Sequence, residues 1–135
     1  MAAEYSNTPL FKKLGLKEGC TFKTIHAPAH YKELLGDAAE QISFKQRAIK
    51  DLDIIHFFTN NQKELTTLLP VLMQQISKNG AIWISWYKKA SGKATELNDN
   101  IVRETALAIG LVDVKVCAVD EDWSGLKLVY RLKDR

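Results

Sequence analysis

His26 and His30 stand four residues apart in "IHAPAHY", a spacing at which two imidazoles on one helix face can share a metal ion. Pro28 interrupts that face, and no third Cys, His or acid stands at ligand spacing, so no metal is expected. His26 with Ser85 would supply a base and a nucleophile, although no GxSxG elbow surrounds the serine. "KKASGK", residues 88–93, offers Lys88, Lys89 and Lys93 around Ser91 and Gly92. It could meet a phosphate through its ammonium groups and nearby amides, yet it lacks the full P-loop pattern. "DEDWSG", residues 120–125, supports two readings of Trp123. In one it caps the sheet end above a hairpin loop, with Asp122 and Ser124 bonding local backbone and Gly125 at positive φ. In the other the indole stacks on a ligand or partner while Asp120 or Asp122 meets the lysines of 88–93.

The elements that would carry these groups alternate. "TPLFKKLGLKEG" has Thr8 to cap a helix, Pro9 at its first position and Gly15 to end it. "CTFKTIHA", residues 20–27, reads as a strand, "PAHYKELLGD" as a helix from Pro28 to Gly36, and "QISFKQR" as a short second strand. "LDIIHFFT", residues 52–59, is apolar almost throughout, as a central strand covered on both faces must be. The next helix opens on capping Asn residues and closes at Asn79 and Gly80. Its apolar stripe is Leu65, Leu68, Leu69, Leu72, Met73 and Ile76, with a kink or restart at Pro70. "AIWISWY", residues 81–87, is a further buried strand, and a helix over about 98–109 precedes two closing strands. About five residues separate those strands, too few for a crossover, so they form an antiparallel hairpin. The expected fold is α/β: a three-layer, mostly parallel sheet with helices on both faces and a C-terminal antiparallel hairpin.

A chain of 135 residues fits one domain, here 1–135 with residues 1–19 as a lead-in helix and turn, and buries about two thirds of its unfolded surface. An apolar fraction of 46% with 26% charged residues is that of a globular protein. The formal charge of +3 comes from 19 basic residues dispersed along the chain, which disfavours nucleic acid as a partner. Cys20 and Cys117 lie in apolar runs and read as core thiols. The opening "MAAEYSNTPLFKK" has no apolar secretory stretch, so a reducing cytoplasm is expected. No apolar run approaches the roughly 18 residues of a membrane span.

"LDIIHFFT", a helix and then "ISKNGAIWIS" resemble the fourth and fifth strands of the class I methyltransferase fold, and the closing hairpin agrees with it. "TPLFKKLGLKEG", "HAPAHY", "WISWYKKASG" and "GLVDVKVCAVDEDWSGLKLVYR" together resemble a family of small, largely bacterial proteins of unknown function with a methyltransferase-like Rossmann core. That resemblance covers nearly the whole chain and implies a fold rather than a reaction. A methyltransferase carries a glycine-rich loop after its first strand, which lets the cofactor approach the backbone; here Ala27, Pro28 and Ala29 stand there. The second strand ends in Lys45, Gln46 and Arg47 where an acid would grip ribose hydroxyls.

Any site belongs beyond the carboxyl ends of the strands, in residues 26–31, 59–61, 85–93 and 120–125. The candidate ligand-binding residues are therefore His26, His30, Tyr31, Asn60, Ser85, Trp86, Lys88, Lys89, Ser91, Lys93, Asp120 and Trp123. Two functions stay open. One is a ligand- or partner-binding module without standard S-adenosylmethionine binding. The other is a divergent methyltransferase that holds this cofactor through contacts around His26, Asn60 and Ser85. Self-association is a further expectation, through an edge strand "LKLVYRL".

Overall fold

The computed structural model describes residues 9–135. The expected Thr8 cap lies outside them. In chain order the elements are α1 (Leu10–Leu14), β1 (Thr21–Ile25), α2 (Tyr31–Leu35), β2 (Ser43–Phe44), β3 (Leu52–Phe58), α3 (Gln62–Met73), β4 (Ile76–Tyr87), α4 (Asp99–Ala108), β5 (Leu111–Ala118) and β6 (Trp123–Tyr130). They form one six-stranded sheet in the order β2-β1-β3-β4-β6-β5. Neighbours run parallel from β2 to β4, and β6 runs antiparallel to both β4 and β5.

The alternation of side chains along the two central strands sends successive residues to opposite faces, and both faces are covered. On one face Ile55, Phe57, Ile82, Ile84 and Trp86 pack with Leu65, Leu69 and Leu72 of α3 and Val102 and Ala106 of α4. On the other, Phe22, Ile54, Phe58 and Trp83 pack with Leu10 and Leu14 of α1 and Tyr31 and Leu35 of α2. Trp83 is fully buried, and its indole N–H donates to the carbonyl of Leu14 at 3.0 Å, which ties α1 to the sheet. Asn61 and Asn98 cap α3 and α4, their side-chain oxygens accepting from the amides of Glu64 and Ile101. No helix among the described residues is long and apolar enough to cross a membrane.

The elements differ from the sequence expectation where a tertiary contact overrides local pattern. α3 runs through Pro70 but ends at Met73, and Ile76 is the first residue of β4, paired with Leu52. Asn79 and Gly80 therefore end no helix. They belong to an irregularity in which pairing shifts from Leu52↔Ile76 to Ile54↔Ala81. A Cβ at Gly80 would lie 2.8 Å from the carbonyl oxygen of Asp53, so this close approach of β3 and β4 requires glycine. α2 begins at Tyr31 rather than Pro28, and β1 stops at Ile25 because His26 turns to φ 57°. β2 is two residues long, because beyond it the Gln46 side chain takes over the pairing: its oxygen accepts from Thr24 N–H and its amide donates to Thr24 C=O.

"LKLVYRL" is not an edge. β6 lies between β4 and β5, and the edges are β2 and β5. Any self-association would have to use another surface. Cys20 and Cys117 are free thiols, partly buried and packed against the core that holds Phe22 and Trp83, and burial pushes both up.

Candidate functional site

The turn after β1 is where this fold ordinarily admits a ligand. His26 occupies it in the left-handed region, a conformation uncommon for a residue with a Cβ, and its Nδ1 lies 3.6 Å from Oε1 of Glu64 at the start of α3. The same carboxylate oxygen accepts from the Thr59 hydroxyl at 2.5 Å. His30, one residue before α2, has Nε2 3.0 Å from Oδ2 of Asp120 in the hairpin loop. Each imidazole thus turns to a carboxylate on a different element. Among the described residues no group of three or more His, Cys, Asp or Glu side chains could hold a metal ion.

A cavity of about 280 Å³ lies at this turn, lined by Thr24, Ala27, Pro28, Ala29, Tyr31, Lys32, Phe44 and Gln46. It falls below the roughly 300–1,000 Å³ usual for small-molecule sites. The Gln46 amide, which stands near the position of a ribose-binding acid, is already bonded to Thr24. The first turn thus presents neither the glycine-rich backbone nor the free carboxylate of the fold's usual cofactor contacts.

Beneath the turn lies a buried polar chain that sequence reasoning missed. The Tyr31 hydroxyl is 2.7 Å from Nδ1 of His56, and Nε2 of His56 is 2.7 Å from the Ser85 hydroxyl. His56 and Ser85 are fully buried and Tyr31 nearly so. Burial depresses the imidazole to a pKa of about 3, so it is neutral. Burial likewise raises the Tyr31 phenol well above its ordinary value. The imidazole partner of Ser85 is therefore His56 and not His26, and the serine has no exposed surface. The available clue was a histidine in the middle of the apolar run of a central strand, since such a group must find partners when buried.

Two further rim residues make structural contacts, and Trp86 also lines a cleft beyond β4. The Asn60 side-chain oxygen accepts from the Tyr87 amide at 2.7 Å, joining the ends of β3 and β4. Trp86 is buried in the core facing α3 and α4. Trp123 is 9% exposed, edge-on to Phe58 at 4.9 Å between centroids and 4.4 Å from Tyr87. It packs as the indole cap of the sheet end. The hairpin loop beneath it is closed by Asp120 rather than Asp122: Oδ1 of Asp120 accepts from the amides of Asp122 and Trp123. Gly125 is in β6 and not at positive φ. A Cβ there would meet Val119 at 3.2 Å, Trp83 at 3.3 Å and the Ser85 hydroxyl at 3.4 Å. Gly125→Ala is expected to lower stability by about 1–2 kcal/mol through this crowding, measured as a fall in urea midpoint with unchanged slope.

The larger cleft lies beyond the carboxyl end of β4. It encloses about 760 Å³ and is lined by the Trp86–Lys89 stretch, Gly92–Thr95, Leu97–Asp99, Val116 and Ser124. Lys88, Lys89 and Lys93 all contribute. Ser91 shapes the loop, its hydroxyl donating to the Lys88 carbonyl and accepting from the Lys93 amide. The amides of Ser91 and Gly92 donate to the carbonyls of Lys88 and Lys89. The amides of Ser91, Gly92 and Lys93 thus close the loop itself and are not open to an anion. Lys93 Nζ reaches Oδ2 of Asp122 at 2.8 Å, and this contact holds the ammonium above its ordinary pKa. The structure so divides the candidates: Tyr31 and Ser85 join His56 in the core, His30 joins Asp120 at the first turn, and the lysines gather around a separate cleft.

Solved structures with the same architecture are methyltransferase-like. A protein classed as a type 11 methyltransferase from Sulfolobus solfataricus matches with a TM-score of 0.61 at 13% identity, over 90% of this chain and 89% of that one. A precorrin-6y C5,15-methyltransferase from Geobacter metallireducens matches at 0.57 and 10%, over 90% and 86%. A magnesium protoporphyrin IX methyltransferase from Synechocystis, solved with bound SAM, matches at 0.57 and 11%, over 90% and 74%. At such identities the likeness establishes the fold alone. No curated protein matches the chain. Residues 32–132 match the sequence profile of a family described as a protein of unknown function, DUF3052, and the chain belongs to that family.

Proposed function

We propose that the chain is a ligand-binding module on a methyltransferase-like Rossmann scaffold, with its site in the cleft beyond β4 and without the usual mode of S-adenosylmethionine binding. The observation that carries this reading is the first turn. His26 adopts φ 57°, the Cβ atoms of Ala27 to Ala29 narrow the adjoining cavity to about 280 Å³, and Gln46 bonds backbone instead of presenting a carboxylate. The 760 Å³ cleft, by contrast, lies within the size range of small-molecule sites. A ligand selective for the native state raises its stability, by about 2.7 kcal/mol at a concentration one hundred times Kd. Thermal-shift measurements with 1 mM-range S-adenosylmethionine and S-adenosylhomocysteine, on the order of a hundred times a typical cofactor Kd, are expected to give no change.

The second reading, a divergent methyltransferase, draws support from the fold of its neighbours, one of them solved with bound SAM. A clear rise in melting temperature with either adenosyl compound would favour it over the first.

A further inference from the structure

We propose that the cleft beyond β4 binds an anionic ligand, a phosphate or a phosphorylated small molecule, through Lys89 and Lys93 beside the Tyr87 ring, and that the Asp122 carboxylate holds the anion's place in its absence. This rests on the reading of the chain as a ligand-binding module and names the class of its ligand.

Charge is the first argument. Three lysines line the cleft against one lining carboxylate, Asp99, which lies 3.8 Å from the guanidinium of Arg103, a group it shares with Asp113; Asp122 adds a second carboxylate beside Lys93. The second argument is how the cation is mounted. Ser91 anchors the Lys93 backbone, while the side chain extends from the loop with Nζ 5.3 Å from the Tyr87 ring centroid. Because the amides of Ser91, Gly92 and Lys93 are engaged in closing the turn, the ammonium groups are the charged donors that would meet an anion, as in a Lys-based site.

The third argument concerns Asp122. The hairpin loop is closed without its carboxylate: Asp120 accepts from two loop amides, Val119 N–H donates to the Trp123 carbonyl, and the backbone carbonyl of Asp122 accepts from Lys88 N–H at 2.8 Å. The Asp122 side chain turns instead to Lys93, in a pair that is 51% and 38% exposed. Such a pair is weakly held and exchanges readily with solutes. A phosphate group, with a charge of about −1.5 to −2 and three acceptor oxygens, offers the ammonium more than the single carboxylate it would displace.

The test is an NMR titration of the intact protein with inorganic phosphate and with pyrophosphate, with circular dichroism to verify that each variant is folded. Saturable shifts are expected at the amides of residues 88–93 and 122. Asp122→Asn keeps the loop's backbone bonds and is expected to bind at least about threefold tighter, Lys93→Ala about tenfold weaker, and Lys93→Arg within about threefold of the parent. Equal affinity in Lys93→Ala would place the anion elsewhere and overturn the site. Equal or weaker affinity in Asp122→Asn would overturn the place-holding role. Silence toward both anions in the parent and in Asp122→Asn would overturn the proposal entirely. That failure is distinct from failure of the module reading, which the adenosyl compounds test separately.

Discussion

Acidification from neutral pH toward pH 3 will destabilise this protein steeply, with His56 as a principal cause. The imidazole is fully buried between the Tyr31 and Ser85 hydroxyls, and burial holds its pKa at about 3 in the folded state, against 6.5 for an unperturbed histidine. Above pH 6.5 the residue is neutral in both states and its contribution to stability is complete. As pH falls below 6.5 the unfolded chain takes up a proton that the folded protein refuses, and stability drops until the folded pKa is passed. Each pH unit in that window costs about 1.4 kcal/mol, so the loss from this one group reaches roughly 4–5 kcal/mol near pH 3. That is a large share of the roughly 5–15 kcal/mol that stabilises a typical domain.

Urea midpoints from pH 7.5 to pH 4 for the parent and His56→Gln provide the check. The variant leaves polar groups imperfectly paired and should lose about 2–4 kcal/mol at neutral pH. It retains the exposed His26 and His30, so the difference between the two pH profiles isolates residue 56. A parent profile no steeper than that of the variant would refute this account of the buried imidazole.

Trp123→Ala is expected to cost about 3–5 kcal/mol, the range for removing a large buried aromatic, and to lower the melting temperature by roughly 10–20 °C. The indole packs edge-on against Phe58 and obliquely against Tyr87, bridging the ends of β3, β4 and β6. The loop itself should survive, because Asp120 bonds the amide of residue 123 and not its side chain. Trp123→Phe should recover more than half of the loss, since a ring restores most of the buried area. The residue does not line the cleft but packs on Tyr87, which does, so phosphate affinity measured below the variant's transition should fall by less than the roughly tenfold expected for loss of Lys93. Lost binding at unchanged melting temperature would instead identify the indole as a ligand contact.

The order of strands and helices was legible because each depends on local chemistry. β3 and the second half of β4 are short, apolar and β-branched; Asn61 and Asn98 are caps with side-chain oxygens at the required spacing; the brief link between the last two strands forbids a crossover. Element ends were less legible. Ile76 continues the apolar stripe of α3 equally well as a helical or a strand residue, and only pairing with Leu52 decides for β4. β6 resembles an edge strand in isolation, and its place between β4 and β5 arises from long-range pairing that leaves no local trace.

The candidate site divides in the same way. The amino-acid sequence by itself determined which chemistries were available: the turn without glycine, the lysines of 88–93, and the pair of imidazoles at 26 and 30. Those are statements of composition and spacing along the chain. Only the tertiary structure decided partnership: Ser85 with His56 instead of His26, His30 with Asp120 ninety positions away, and Lys93 with Asp122. The physical reason is that hydrogen bonds and ion pairs act over about 3–4 Å. Such distances between remote residues are set by sheet order and strand register, which in turn are settled by burial of the whole core.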